Sequence, residues 1–235
     1  MKQLPLKDIL LAQRIYFILG ALFIAALVVG NLIFQKFFTW DLFGLYTFEI
    51  SVGILPYPIT FLITDIISEV YGKKKANQVV TAGIFASFFS LGIVYIADLV
   101  PATPWSPVDD SLFSTVFGAT AIAVFASMTA YLLAQYIDIQ IFHFWKRLTR
   151  GKHLWLRNNF STFLSQFVDT FTVLLLLCAF KKIEWSLFGA LLFSGFLFKV
   201  LVAVLDTPLL YVSVYALRKK FGLGIGEELK LQREV

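Results

Sequence analysis

The stretch ITFLITDIISEVYG, residues Ile59 to Gly72, sets two carboxylates, Asp65 and Glu69, inside an apolar run. Asp65 is one of four charges, with Asp169, Lys199 and Asp206, that interrupt apolar runs long enough to cross a bilayer. An ionised side chain at mid-membrane costs at least about 2.5 to 3.5 kcal/mol, so each needs a partner, a wet cavity or a ligand. A chain with several of them has a polar interior inside an apolar shell. That is the anatomy of a transporter or of an intramembrane enzyme.

Composition points the same way. The chain has 235 residues, of which 59% are hydrophobic and only 15% charged, whereas soluble domains carry about 25% charged residues. Phe is abundant at 26 copies, which suits lipid-facing surface. The single Cys excludes an intrachain disulfide and any Cys-cluster metal site. Cys178 lies in an apolar run and reads as a buried thiol.

Six segments are long enough to span about 30 Å of hydrocarbon: Ile15–Gln35, Glu49–Tyr71, Ala76–Ala97, Ser111–Asp138, Asn158–Phe180 and Trp185–Leu217. The expected fold is an all-α integral membrane protein with six transmembrane helices in one polytopic domain over residues 1–235. The first segment is too long for a signal peptide and no small-residue cleavage site follows it, so it reads as a retained helix. Sixteen of the 20 basic residues lie before the first segment, in the loops after the second and fourth, and after the sixth. Asp41, Asp98, Asp109 and Asp110 occupy the opposite loops. The positive-inside rule then puts both termini in the cytoplasm. Topology explains the net charge of +5, so it does not argue for nucleic acid. The stretch His143–Arg157, with Trp145, His153 and Trp155, reads as a solvated, snorkelling loop rather than a headgroup site.

Short echoes link the two halves: Asn31 to Gln35 against Tyr131 to Gln135, and Phe61 to Asp65 against Phe163 to Asp169. They would make the halves two inverted three-helix repeats, an arrangement that places substrate at the midplane. Matches this short and apolar also arise by chance.

Polar side chains fall in stripes. Thr64, Asp65, Ser68 and Glu69 share one helix face. Pro56 and Pro58, framing Tyr57, kink or break the same segment near its other end. Asn158, Thr162, Ser165, Gln166 and Asp169 form the strongest stripe, alternating with Phe160, Phe163, Phe167 and Phe171, which read as lipid-facing or as rings stacked beside a ligand. Lys199 lies mid-segment and pairs most cheaply with Asp169 or Asp65, while Asp206-Thr207-Pro208 bends the helix beyond it. Small-residue ladders such as Gly83-Ser87, Ala82-Ala86-Ser90, Ala119-Ala123-Ser127 and Ala126-Ala130-Ala134 let helices approach closely, within the chain or in a homodimer.

Enzyme readings fare badly. Neither Gly-x-Ser-x-Gly nor His-Glu-x-x-His occurs, both histidines lie outside the apolar segments, and no phosphate-binding glycine loop is present. No metal or other cofactor is expected. The classes left are a small-solute transporter, a substrate-binding membrane component that needs a separate ATPase, a structural membrane protein and, less well supported, an intramembrane hydrolase.

Thr64-Asp65-Ile66-Ile67-Ser68-Glu69-Val70-Tyr71-Gly72, preceded by Pro58, resembles the signature of the queuosine precursor transporter family, also called the vitamin uptake transporter family. So do Arg157-Asn158 leading into Ser165-Gln166-Phe167-Val168-Asp169-Thr170, and Lys199 followed by Asp206-Thr207-Pro208. The resemblance implies a bacterial inner-membrane importer of 7-deazaguanine bases such as preQ0, preQ1 or queuine. It implies a purine-like substrate and a lipid bilayer as partners, and no nucleic acid. A carboxylate accepts from the adjacent N–H donors of such a base, an amide donates to its carbonyl, and aromatic rings cover its faces. Asp169 with Gln166 is one candidate reader, and Asp65 with Glu69 and Thr64 another. Asn31, Gln35 and Gln135 offer further amides, and Tyr57, Phe61 and Phe167 are candidate stacking partners. Lys199 and Asp206 are candidates for charge pairing or coupling.

Overall fold

The computed structural model describes residues 5–34, 36–44, 46–118, 121–181 and 183–229. The order is α1 (Leu6–Ile33), β1 (Phe37–Leu42), β2 (Tyr46–Ser51), a 3-10 turn at Val52–Ile54, α2 (Tyr57–Val70), α3 (Lys73–Leu99) and α4 (Asp110–Phe117). Then come α5 (Ala121–Leu148), α6 (Leu154–Ala179), a second 3-10 turn at Trp185–Leu187, and α7 (Phe188–Phe221). Five helical segments are long and apolar enough to cross a membrane: Leu6–Ile33, Val52–Val70, Lys73–Leu99, Leu154–Ala179 and Trp185–Phe221. Phe17, Phe85, Phe89 and Phe193 stand exposed on the outside of the bundle, a surface that water would penalise and lipid does not. The chain is a multi-pass membrane protein.

α2 is the central post. It packs against α1, α3, α5 and α7, and buries ten of its 14 residues, among them Thr64, Asp65, Ser68 and Glu69. Around it Phe23, Ile67, Val70, Val80 and Ile139 form the main apolar cluster. Gly83 on α3 is required by this packing, because a Cβ there would lie 2.7 Å from the Phe23 ring. Ala130 and Ala134 are fully buried on α5, so part of the small-residue spacing serves contacts within the chain. Ala119 lies outside the described residues.

The fold is mainly helical, consistent with the expected all-α membrane protein, and carries one short hairpin besides: β1 and β2 pair antiparallel, Phe37 opposite Ser51 and Leu42 opposite Tyr46. Aromatic and β-branched residues alternate with polar ones here, a pattern that favours strands. Asp41 closes the hairpin by accepting from the Gly44 N–H at 2.9 Å and the Thr47 hydroxyl at 3.3 Å, with Gly44 at φ +72°. The second apolar segment is therefore not one helix from Glu49. It runs as strand, 3-10 turn and then α2, which begins at Tyr57 with Pro58 in its first turn. There Pro lacks only a hydrogen bond that the first turn never makes. The prolines break the segment rather than kink a continuous helix.

The fourth segment, expected as a single helix from Ser111 to Asp138, is two. Asp109 caps α4 by accepting from the Leu112 N–H at 2.7 Å, and Gly118 ends it by bonding back to the Ser114 carbonyl at 2.9 Å. α5 then continues ten residues past Asp138 to Leu148, which puts Asp138 inside a helix rather than at its end. Most of His143–Arg157 is accordingly helical, and His143, Lys146 and Arg157 are buried rather than solvated.

Candidate functional site

The buried polar groups stack in three tiers along α2 and α6. At the tier nearest the hairpin, Lys199 of α7 bonds to Asp169 Oδ2, and the Tyr57 hydroxyl donates to the same oxygen at 2.7 Å. The ammonium also sits 4.6 Å from the centre of the Tyr57 ring, in cation–π range. The expected pairing of Lys199 thus falls on Asp169. Tyr57, Phe61 and Tyr131 pack ring against ring, with centroids 5.1 to 6.1 Å apart.

A cavity opens beside this tier, walled by Ile54, Tyr57, Pro58, Phe61, Thr162, Gln166, Phe198, Lys199, Val202, Ala203 and Asp206. Its volume is about 20 Å³, room for about one water. Gln166 is buried with its Oε1 unpaired, and so is the Thr162 hydroxyl, among the described residues. Of the candidate residues, Tyr57, Phe61, Gln166, Lys199 and Asp206 line this space, with Asp169 held directly behind Tyr57 and Lys199.

The middle tier joins α2, α5 and α6. Asp65 and Asp138 are both buried and lie side by side, each with one carboxylate oxygen that has no hydrogen-bond partner among the described residues. Ser165 donates to Asp138 Oδ1 at 3.0 Å. One turn toward the hairpin, Gln135 donates to the Tyr131 hydroxyl at 2.7 Å, and Thr64 shares its proton between Gln135 Oε1 and its own helix. Gln135 and Thr64 thus brace α5 against α2.

The third tier holds Glu69. Its carboxylate is fully buried and receives Arg157 through Nε at 3.1 Å and Nη2 at 2.6 Å, plus Arg218 on Oε1. Lys146 lies 3.8 Å away, donates to the Glu69 carbonyl at 3.1 Å, and pairs with Glu228 at 2.8 Å. Arg157 also donates to the Gly151 and Lys152 carbonyls at 3.0 and 2.8 Å. The tail returns across this end, where the Leu229 N–H bonds to the Val70 carbonyl at 2.7 Å.

Other candidates lie apart. Phe167 is 40% exposed and stacks on Phe171 on the outer face of α6, so the aromatic half of that stripe meets lipid, while Asn158, Thr162, Ser165, Gln166 and Asp169 are buried. Asn31 sits near the end of α1, outside the cavity wall, with its amide nitrogen unpaired. Gln35 lies outside the described residues. Sequence reasoning did not select Asp138, Lys146, Arg157 or Arg218 as site residues. The last three are hidden among basic residues that the positive-inside rule already explains.

A second depression of about 210 Å³ lies in the loop between α3 and α4. Its acids are used as local caps: Asp98 accepts from Ser114, Asp110 from the Ala102 N–H, and Asp109 from Leu112 and Ser111. The Leu112 N–H and the Ser111 hydroxyl hold the exposed Asp109 carboxyl below the usual carboxylate range. Among the described residues no group of three His, Cys, Asp or Glu side chains is placed to hold a metal ion.

Two curated relatives cover most of the chain. A protein of Bacillus subtilis described as a probable queuosine precursor transporter is 29% identical over 191 residues, 80% of each chain. A Haemophilus influenzae protein with the same description is 23% identical over 175 residues, 72% of this chain and 68% of its own. No solved structure matches. The sequence model of the putative vitamin uptake transporter family matches residues 51–213, a span that includes α2, α6, Lys199 and all three polar tiers apart from Arg218 and the tail. The chain belongs to that family.

Proposed function

We propose that this protein imports queuosine precursors, 7-deazaguanine bases, across the bacterial inner membrane by alternating access. The observation that carries the reading is the cavity wall. Gln166 offers an unpaired buried acceptor, Asp169 a second one held by exchangeable partners, and Tyr57 and Phe61 flat apolar surface. A deazaguanine presents adjacent N–H donors, a carbonyl and two π-faces, the complement of that set. The relatives' descriptions name the same class of solute.

At about 20 Å³ the cavity is closed to a base, since small-molecule sites measure hundreds of Å³. Binding therefore requires the hairpin end to open and Asp169 to release Lys199 or Tyr57. The hairpin is suited to that role: Phe48 and Trp40 pack on Phe198, which is itself part of the wall. In this reading Glu69, saturated by two arginines and a lysine, fixes the opposite end and does not touch the base. Six crossings complete the topology, α5 supplying the crossing beyond the five apolar segments. The basic end, with both termini, faces the cytoplasm, and the chain is not an enzyme.

The test is a bacterial strain that neither makes the precursor nor imports it. Expression of this chain restores queuosine in tRNA when preQ0, preQ1 or queuine is supplied, and Asp169→Ala does not. Rescue by Asp169→Ala equal to wild type removes Asp169 from the site. Uptake by the purified chain in proteoliposomes without any ATPase excludes an obligate ATP-driven partner.

A further inference from the structure

The transporter reading leaves the middle tier unused. Asp65 and Asp138 come from different helices, are 3% and 0% exposed, and their carboxyl groups meet. Asp65 Oδ1 and Asp138 Oδ2 have no hydrogen-bond donor among the described residues. Two adjacent carboxylates are both acceptors only when ionised, so neither can satisfy the other's unpaired oxygen unless one of them carries a proton. Thr162, buried, lies beside Asp138 and also lines the cavity. The pair is therefore one side chain away from the proposed substrate space.

Cations that could neutralise the pair instead are engaged elsewhere. On α6 and α7, Arg157 and Arg218 bind Glu69, and Lys199 binds Asp169. On α5, Lys146 is shared between Glu69 and Glu228. On α3, Lys73 donates to Gln140 and Lys75 covers Tyr16; on α1, Asp8 faces Lys220. The remaining ionisable neighbours, Glu69, Asp169, Tyr57 and Tyr131, add no positive charge, and Asp206 stands on the cavity wall. Four cations (Lys146, Arg157, Lys199, Arg218) face Glu69, Asp169 and Glu228.

We infer that Asp65 and Asp138 share one proton in the closed state and that this buried acid pair is the protonation site coupling solute entry to the proton gradient. This rests on the import reading above. The pair takes a proton from the outer side when the hairpin end is open and returns it to the cytoplasm when the basic end opens. One proton moves per cycle and no covalent bond other than O–H changes. Losing the proton in the closed state leaves two buried carboxylates whose cationic neighbour, Arg157, is already bound to Glu69, so closure without it is disfavoured.

Two readouts decide. Infrared spectroscopy of the purified full chain at pH 7 is expected to show the C=O band of a buried protonated carboxylic acid. The band disappears in Asp138→Asn and in Asp65→Asn, and persists in Asp206→Asn. The Asn amide in each isostere donates the hydrogen bond that the proton provided, so both variants keep the fold. A wild-type protein without the band, or a band that neither isostere alters, overturns the shared proton. In proteoliposomes with radiolabelled preQ0, preQ1 and queuine, an inward proton gradient raises steady-state accumulation about tenfold per pH unit, and Asp138→Asn only equilibrates the solute. Wild-type uptake indifferent to the gradient overturns the coupling and leaves the import reading standing. If none of the three bases enters, the import reading fails and the coupling with it, and the infrared band alone decides the shared proton.

Discussion

Replacing Lys199 with Met strands Asp169 inside the bundle. The two side chains are 11% and 8% exposed, so solvent screens little of the loss. Removing one member of a buried ion pair costs about 3 to 5 kcal/mol. The chain can limit that cost only by neutralising the orphan with a proton from water. For a carboxylic acid of ordinary pKa this costs about 1.4 kcal/mol per pH unit above about 3.9, hence about 4 kcal/mol at pH 7. The two estimates agree. The Tyr57 hydroxyl still reaches Asp169, but the cation over its ring is lost, about a further 0.5 to 1 kcal/mol. At about 2 to 4 °C per kcal/mol for a chain of this size, a total of about 4.5 to 5 kcal/mol is expected to lower Tm at pH 7 by about 9 to 20 °C. The deficit shrinks by about 1.4 kcal/mol for each pH unit of acidification, because the rescuing proton becomes cheaper. Asp169→Asn added to Lys199→Met removes the orphan charge and recovers most of the loss. The assay is thermal unfolding of the three variants and wild type in detergent from pH 5 to 8. A Lys199→Met protein as stable as wild type, or a double variant no better than the single one at pH 7, refutes the ion pair as described.

Arg157→Met removes the fork that binds Glu69 and two backbone carbonyls, and is expected to cost about 5 kcal/mol or more, enough to abolish folded protein in the membrane. Arg157→Lys recovers less than half of that, because an ammonium cannot reproduce the planar geometry; size-exclusion yield and Tm of a fluorescent fusion measure both, and a well-folded Arg157→Met protein contradicts the structural role. Phe48→Ala empties a fully buried site against Phe198, at a local cost of about 3 to 5 kcal/mol. Hydrogen exchange should then rise across the Phe37–Ser51 ladder while α2 stays protected; equal loosening of α2 would show that the hairpin is not an independent lid.

The sequence disclosed the two stripes because their partners lie at helical spacing within a short segment. Thr64, Asp65, Ser68 and Glu69 on α2, and Asn158 through Asp169 on α6, are buried together as the periodicity demands. The hairpin escaped because Phe37–Ser51 is apolar enough to merge with its neighbours in a hydropathy reading. Its period of two is carried by few polar residues, notably Thr39, Asp41 and Thr47. Asp138 was misplaced for a related reason: a charge at the end of an apolar run looks like a terminus, and only the continuation of α5 to Leu148 shows it to be interior. Arg157 is part of the family-like stretch, but its ion-pair role could not be read from its own neighbourhood. Its partner Glu69 is 88 positions away, and local charge density makes it indistinguishable from Arg147 or Arg150, which stay in the basic rim.

The three carboxylate sites differ in what neutralises them, and on the proposed import reading that difference divides their work. Glu69 has a surplus of fixed cations from α5, α6 and α7, of which Lys146 and Arg157 are tied to further groups, so its environment changes only if helices separate. Asp169 has one ammonium on a flexible stem and one phenol, partners that a ligand offering N–H donors can replace without moving the backbone. The Asp65–Asp138 pair has neither among the described residues, and in the proposed coupling the species that sits between its two acceptors and leaves again is the proton. A transporter needs a hinge that holds, a reader that exchanges partners and a carrier for the driving ion. On the proposed import and proton-coupling readings, fixed, exchangeable and protonic neutralisation would supply these three in sequence along one pair of helices. The order places the exchangeable site beside the hairpin lid and the fixed one under the basic rim, so exchange at Asp169 can precede any separation of the helices that Glu69 holds.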